Sequence, residues 1–153
     1  MYKKILILLF IFLPVSINSY ADDRSTGLRI GSADAKVTIK VFSSLTCPAC
    51  AHFHKKIHKN LKEEFIDTGK VRFEHHAFPL DLAALNAEKI LRCVKNSERS
   101  FQFLSEIYKK QNEWAVGSDI NKINESLKKI SLNFNLDSAK IDSCLKDENT
   151  QDK

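Results

Sequence analysis

Two cysteines three residues apart, in the run Cys47-Pro48-Ala49-Cys50, are the residues of this chain best suited to chemistry. Thiols at this spacing can exchange with disulfides. Exchange requires a thiolate, and a free cysteine with a pKa of about 8.5 supplies little of it at neutral pH. A helix N-terminus helps, because its unpaired N–H groups and the helix dipole favour negative charge. Pro48 and Ala49 support such a start: proline in the first helical turn forfeits no hydrogen bond and stiffens the turn. Cys47 is therefore expected to be the exposed nucleophile. Cys50, one turn further in, is expected to be the thiol that attacks a mixed disulfide and resolves it.

Other readings of the same residues are weaker. A structural disulfide across three residues at a helix start is geometrically awkward. A zinc site would draw on His52, His54 and His58, but closed zinc sites take four converging ligands, usually from two knuckles, and a second knuckle is absent. No metal and no cofactor is expected. His54 follows Cys50 by four residues, so it is either a candidate proton relay or a solvated helix histidine. His52 and His58 read as exposed. His75 and His76 alternate along a strand and read as structural histidines, one facing the core. Cys93 and Cys144 fall on separate helices. If bonded they close a loop of about fifty residues, worth roughly 4 kcal/mol in the chain-entropy model. The alternative is a pair of buried free thiols acting as small apolar residues.

The elements that must position these groups are legible as periodicities. Val37-Thr38-Ile39-Lys40-Val41-Phe42 is rich in β-branched residues and reads as a largely buried strand with neighbours on both sides. A helix follows from Pro48 to about Phe65, with Phe53, Ile57, Leu61 and Phe65 on one stripe. Asp67-Thr68-Gly69-Lys70 breaks it, and Val71 to Phe78 is a second strand. Strand, helix, strand implies a βαβ unit with parallel strands. A helical block follows. One helix runs from Asp81 to about Lys95, with Ala83, Ala87, Ile90, Leu91 and Val94 inward. A second runs from Ser100 to Gln111 around Phe101, Leu104 and Tyr108. A third is capped by Ser118 and carries Ile120, Ile123, Leu127 and Ile130; a last one is capped by Asp137. Two parallel strands alone make a marginal sheet, so the exposed edge predicts either further strands or a partner chain that supplies them.

Lys3 and Lys4, the apolar run Ile5 to Leu13, and Ser19-Tyr20-Ala21 have the form of a signal peptide over residues 1–21, cleaved on export. Pro14 interrupts the apolar run, which is too short for a confident membrane span. Of the net charge of +5, Lys3 and Lys4 carry two. The remaining lysines are scattered among Asp and Glu without a basic block, which argues against nucleic-acid binding. All of the chain's four cysteines lie beyond residue 21. Export would bring them into an oxidising compartment, where an even count suggests pairing.

The run from Val37 through Ser43-Ser44-Leu45-Thr46-Cys47-Pro48-Ala49-Cys50 to Phe53-His54 resembles the active-site region of DsbA-like thiol:disulfide interchange proteins of the thioredoxin-like superfamily, nearest the alphaproteobacterial branch. Phe78-Pro79-Leu80-Asp81, the Ala-rich helix holding Cys93, and Asn112-Glu113-Trp114 extend the resemblance over about residues 30 to 146. It implies an α/β thioredoxin-like fold with an inserted helical domain. The βαβ half lies within residues 22–80, the helical domain within 81–146, and a polar tail spans 147–153. The family's cis-proline loop and C-terminal ββα half are expected to be missing. The resemblance also implies a periplasmic protein that forms disulfides in exported proteins and is reoxidised by a membrane redox partner. In it Cys47 is the nucleophile, Cys50 the resolving thiol, and Cys93 and Cys144 a second, non-catalytic pair. Isomerisation or reduction driven by a membrane donor, or activity only with a partner chain, are the alternatives. Pro-Ala stands between the cysteines where strongly oxidising relatives have Pro-His, and Val41 stands where many have a glutamate.

Overall fold

Residues 27–147 are described by a computed structural model, and the expected signal peptide lies outside them. Val71–Ala77 (β3) is the central strand of the sheet. Val37–Ser43 (β2) lies parallel to it with Val41 opposite His75 and Ser43 opposite Ala77, as a βαβ unit requires. The third strand, Leu28–Ile30 (β1), runs antiparallel along the other edge of β3. It was not foreseen in the sequence. Glycines bracket it because the chain hugs β3 there: a Cβ at Gly27 would strike the His75 carbonyl, and one at Gly31 (φ +96°) the Val71 carbonyl.

The expectation that β2 has neighbours on both sides does not hold within the described residues. The strand order is β1-β3-β2, so β2 is an edge. Its apolar side chains divide accordingly, with Ile39 and Val41 half-buried and Val37 and Phe42 exposed.

The helix after Cys47 departs from its predicted face. It is α-helical over Pro48–Phe53 (α1) and Lys59–Leu61 (α2), and π-wound over His54–His58 and Lys62–Ile66. Bonds of i→i+5 type widen the turn and shift every later residue around the axis. The stripe Phe53–Ile57–Leu61–Phe65 assumed uniform α-winding. Instead Ala51, His54, His58 and Ile66 face inward, and Ile57 and Phe65 are exposed. His58 therefore sits in the core rather than in solvent, and His54 is buried beside it, not solvated.

The helical block is built from Leu82–Arg92 (α3), Ser97–Lys109 (α4), Gln111–Trp114 (α5), Ile120–Ser131 (α6) and Ser138–Lys146 (α7). Side-chain oxygens start the longer ones. Asp81 accepts from the Ala84 N–H at 2.7 Å, Asn96 from Arg99 at 2.9 Å and Asp137 from Lys140 at 2.8 Å. The cap of α6 is Asp119, not Ser118: the helix begins at Ile120, and Asp119 Oδ1 accepts from the N–H groups of both Asn121 and Lys122. Ile90, Leu91, Phe103, Ile107, Leu127 and Ile141 are fully buried where these helices meet. Cys93, at the end of α3, is joined to Cys144 of α7 by a disulfide, their Cα atoms 6.3 Å apart.

A candidate thiol–disulfide exchange site

The loop from Ser43 to Cys47 carries the cysteine pair out of the sheet, and contacts from several elements hold it. Leu45 is fully buried. Gln111, at the start of α5, donates through Nε2 to the carbonyls of Leu45 at 2.8 Å and Cys47 at 3.1 Å. The Thr46 hydroxyl donates to Asp81 Oδ2 at 2.7 Å. Asp81 thus caps α3 with one oxygen and ties down the active loop with the other. The helical block is the clamp on this loop.

Cys47 is the N-cap residue of α1, with Pro48 in the first turn. Cys47 and Cys50 are both free thiols, partly accessible. The Cys50 backbone N–H, the Cys50 thiol and the Ala49 N–H all favour the Cys47 thiolate. They overcome a small desolvation penalty and hold its pKa below the ordinary cysteine value. Cys50 moves the other way: burial and the neighbouring Cys47 push it up, against N–H groups that include that of Ser44. Of the two thiols, Cys47 therefore ionises the more readily and Cys50 holds its proton the longer.

Behind Cys50 lies a cavity of about 210 Å³ bordered by Val41, Ser43, His54, His75 and Tyr108. Its polar wall is a hydrogen-bonded series. The Tyr108 hydroxyl donates to Ser43 Oγ at 3.1 Å, Ser43 Oγ meets His75 Nδ1 at 3.0 Å, and His75 Nε2 meets Glu88 Oε1 at 2.7 Å. All four side chains are almost wholly buried. Desolvation raises the Tyr108 pKa above its usual value, and the charge of nearby Cys50 contributes to the rise.

His54 bonds Ser105 Oγ through Nε2 at 2.8 Å. The Ser105 hydroxyl already donates to the Phe101 carbonyl, so His54 Nε2 is the donor and carries the hydrogen. His54 stacks on His58 at 4.5 Å between ring centres and leans on Tyr108 at 5.0 Å. Burial, followed by the charges of neighbouring groups, lowers His54 to about 3 and His58 to about 4, so both rings are neutral at physiological pH. His52 is exposed. His76 stacks on Phe42 and bonds Glu74, away from the cysteines.

The site as built includes groups that the sequence reading passed over: Ser43, Glu88, Tyr108, Gln111 and the Thr46–Asp81 pair. Glu88 had a usable signal. It lies on the stripe of Ala84 and Leu91, and a carboxyl group on the apolar face of a helix demands a buried partner.

The chain matches the thioredoxin family model over residues 23–153 and belongs to that family. Within it the chain is DsbA-like. It is 27% identical to Wolbachia pipientis alpha-DsbA1, whose crystal structure superposes with a TM-score of 0.76 over 82% of this chain and 62% of that one. It is 30% identical to a Rickettsia bellii protein provisionally named a protein-disulfide oxidoreductase, over 78% of this chain and 45% of the relative. Disulfide bond formation protein D of Bacillus subtilis is 29% identical over 71% of this chain and 53% of its own length. The chain spans about half the length of these two curated relatives. Among the described residues no helix is long and apolar enough to cross a membrane.

Proposed function

We propose that this chain is a thiol:disulfide oxidoreductase that forms disulfide bonds in exported proteins. The observation that carries the reading is the division of labour between the two thiols, Cys47 lowered at the helix start and Cys50 raised behind it. In the oxidised protein a client thiolate attacks Cys47 Sγ. The Cys47–Cys50 bond breaks, and Cys50 leaves with the electron pair and takes a proton. A second client thiolate then attacks the client sulfur of the mixed disulfide, closing the client bond and releasing Cys47 as a thiolate. Two electrons pass from client to protein. A disulfide on a membrane redox partner would remove them.

Export to the periplasm behind a cleaved signal peptide at residues 1–21 fits this chemistry, since disulfides persist in oxidising compartments. The relatives' names point the same way, to disulfide bond formation. Pro-Ala between the cysteines offers no imidazole to the Cys47 thiolate, so stabilisation falls to the N–H groups of the helix start. The test is the redox midpoint of the Cys47–Cys50 pair in glutathione buffers, followed by alkylation and mass. A midpoint above about −150 mV supports an oxidase, and one near about −270 mV would move the reading to a reductase or isomerase.

One observation favours a second reading, in which the chain works together with another polypeptide. The outer edge of β2 has no strand against it among the described residues, and Phe42 on it is exposed. Unpaired edges are templates for strand addition. A purified chain that unfolds cooperatively as a monomer and turns over cysteine-containing peptides alone would rule this out.

A further inference from the structure

We propose that Glu88, His75, Ser43 and Tyr108 form a proton wire that deprotonates Cys50 for its attack on a mixed disulfide at Cys47. The inference rests on the oxidoreductase reading and adds the residues that move its proton.

Cys50 is the thiol that must become a nucleophile to resolve a disulfide at Cys47, yet burial holds its proton on. A base within reach would take that proton without waiting on solvent, to which the sulfur is only partly open. The cavity behind Cys50 is bordered by Ser43, His75 and Tyr108. Its roughly 210 Å³ exceeds the ~10–15 Å³ that one water centre needs, so water can link the sulfur to the Tyr108 oxygen.

With His75 neutral, the hydrogen bonds from there run in one direction. The Tyr108 hydroxyl donates to Ser43 Oγ. Ser43 then has its own hydrogen for His75 Nδ1, which accepts in the neutral ring. The hydrogen of that ring sits on Nε2 and points at Glu88 Oε1. Every donor is aimed away from Cys50 and every acceptor towards it. A proton entering at Tyr108 leaves as a different proton at Glu88, with His75 changing tautomer between.

The far end has room for it. Glu88 Oε2 is buried and has no hydrogen-bond partner among the described residues. An unpaired buried carboxyl oxygen is costly, and such groups in native structures call for an explanation. As the terminus of a wire it has one: the carboxyl group that takes the His75 proton on Oε1 is one whose second oxygen no partner holds as an anion.

The step balances. Cys50–SH gives its proton to the wire, and the Cys50 thiolate attacks Cys47 Sγ. The Cys47–Cys50 bond forms, the bond from Cys47 to the partner sulfur breaks, and the partner leaves as a thiolate with that electron pair. The oxidant is the disulfide of the reoxidising partner. When a client attacks the oxidised pair, the wire runs backward and returns the proton to Cys50. The other titratable groups facing this region are Cys47 of the helix start and the stacked pair His54 and His58 of the π-wound turn. His54 does not serve as the first acceptor. Its Nδ1 lone pair is the one left to accept, but burial makes the ring resist protonation down to about pH 3.

The test uses the full chain, reduced, mixed with an aromatic disulfide whose thiolate is coloured. The first thiolate released reports attack by Cys47, and the second reports attack by Cys50. Glu88→Gln keeps an acceptor for His75 but cannot take the proton, and Tyr108→Phe removes the first relay hydroxyl without changing the ring. Below pH 7 each variant is expected to slow the second release by at least about tenfold, the lower reach of general-base effects. The first release should stay unchanged, and the gap should close as pH rises towards the titration of Cys50. Equal second-release rates at every pH would overturn the wire. Slowing of both releases together, independent of pH, would reduce these residues to a structural role and overturn it as well. An unmodified chain whose first release is no faster than that of glutathione would instead bring down the oxidoreductase reading, and the wire with it.

Discussion

The sheet half and the helical block solve opposite problems. Where α3, α4, α6 and α7 meet, the interior is mostly apolar, with Ile90, Phe103, Leu127 and Ile141 at or near zero exposure, a disulfide joining α3 to α7, and the buried Lys89, Ser100 and Ser131 each bonded to a backbone carbonyl. Beneath the cysteine pair the interior holds Ser43, His54, His58, His75 and Glu88, a cavity, and a strand edge with Phe42 in solvent. Buried polar groups stabilise only when fully paired, and here two atoms, His58 Nε2 and Glu88 Oε2, are not. The difference teaches that stability is lodged in one region and lent to the other. The loan runs through Gln111 and Asp81, which reach from the helical block to hold the loop before Cys47.

The largest effect that separates the regions is chemical. Cys47→Ser should abolish exchange with peptide disulfides while leaving the urea midpoint almost where it was, because Cys47 contributes little to packing. Cys50→Ser should keep the first attack and trap the mixed disulfide, readable by mass. A large loss of stability in either variant would mean that the cysteine pair is structural after all.

Next comes the converse. Replacing Cys93 and Cys144 together by alanine releases a loop closed over a sequence separation of 51. The expected cost is about 4 kcal/mol in the chain-entropy model, measured by chemical unfolding. The reactivity of Cys47 should be unchanged at temperatures where the variant stays folded. If reactivity falls with stability, the two regions are not separable in the way the packing suggests.

How much of this could be read without coordinates follows the same division. Local patterns carried β2, β3, the helix order, the Asp137 cap and the Cys-Pro-Ala-Cys helix start, because each depends on neighbours a few residues away. The Cys93–Cys144 bond was favoured by the expected export and implied by the resemblance, and the structure has it, but spacing on two helices does not by itself say which faces meet. The histidine face was misplaced because π-winding breaks the i, i+4 rule on which the stripe was drawn. β1 was overlooked because a three-residue strand has too few positions to show alternation, although Gly27 and Gly31 mark its ends. The wall behind Cys50 joins residues 65, 32 and 13 positions apart. No window along the chain contains it.

The buried histidines give an effect that vanishes near neutral pH, grows only in acid, and is confined to the sheet half. His54 and His58 have folded pKa values of about 3 and about 4, below the 6.5 of an exposed ring, with burial the main cause in both. Between pH 6.5 and those values the unfolded chain binds protons that the folded chain does not. Stability is therefore full above about pH 6.5 and falls as pH drops, by up to about 1.4 kcal/mol per unit for each ring. Glu74 acts lower. Burial raises it, but the His76 hydrogen bond and the charges of Arg29, Lys40 and Arg72 outweigh that and hold it below the usual carboxylate range. Its contribution is lost only as pH falls below about 4.5. Unfolding curves between pH 7 and 4 should therefore flatten in His58→Phe and keep their slope in Glu74→Gln. Equal slopes in the parent chain and His58→Phe would mean that His58 is not buried neutral.

The smallest effect expected is at the β2 edge, and its smallness is informative. Phe42 is 64% exposed and stacks on His76. For the isolated chain, Phe42→Thr gives up little buried area and keeps a β-branched side chain on the strand, so it should change stability by less than about 0.5 kcal/mol. Solubility should rise, since an exposed aromatic on an unpaired edge invites strand addition from another chain. If the substitution instead costs about 2 kcal/mol or more, Phe42 is covered in solution. The comparison of a saturated helical block with an open sheet edge would then hold for the chain alone and not for the assembly in which it works.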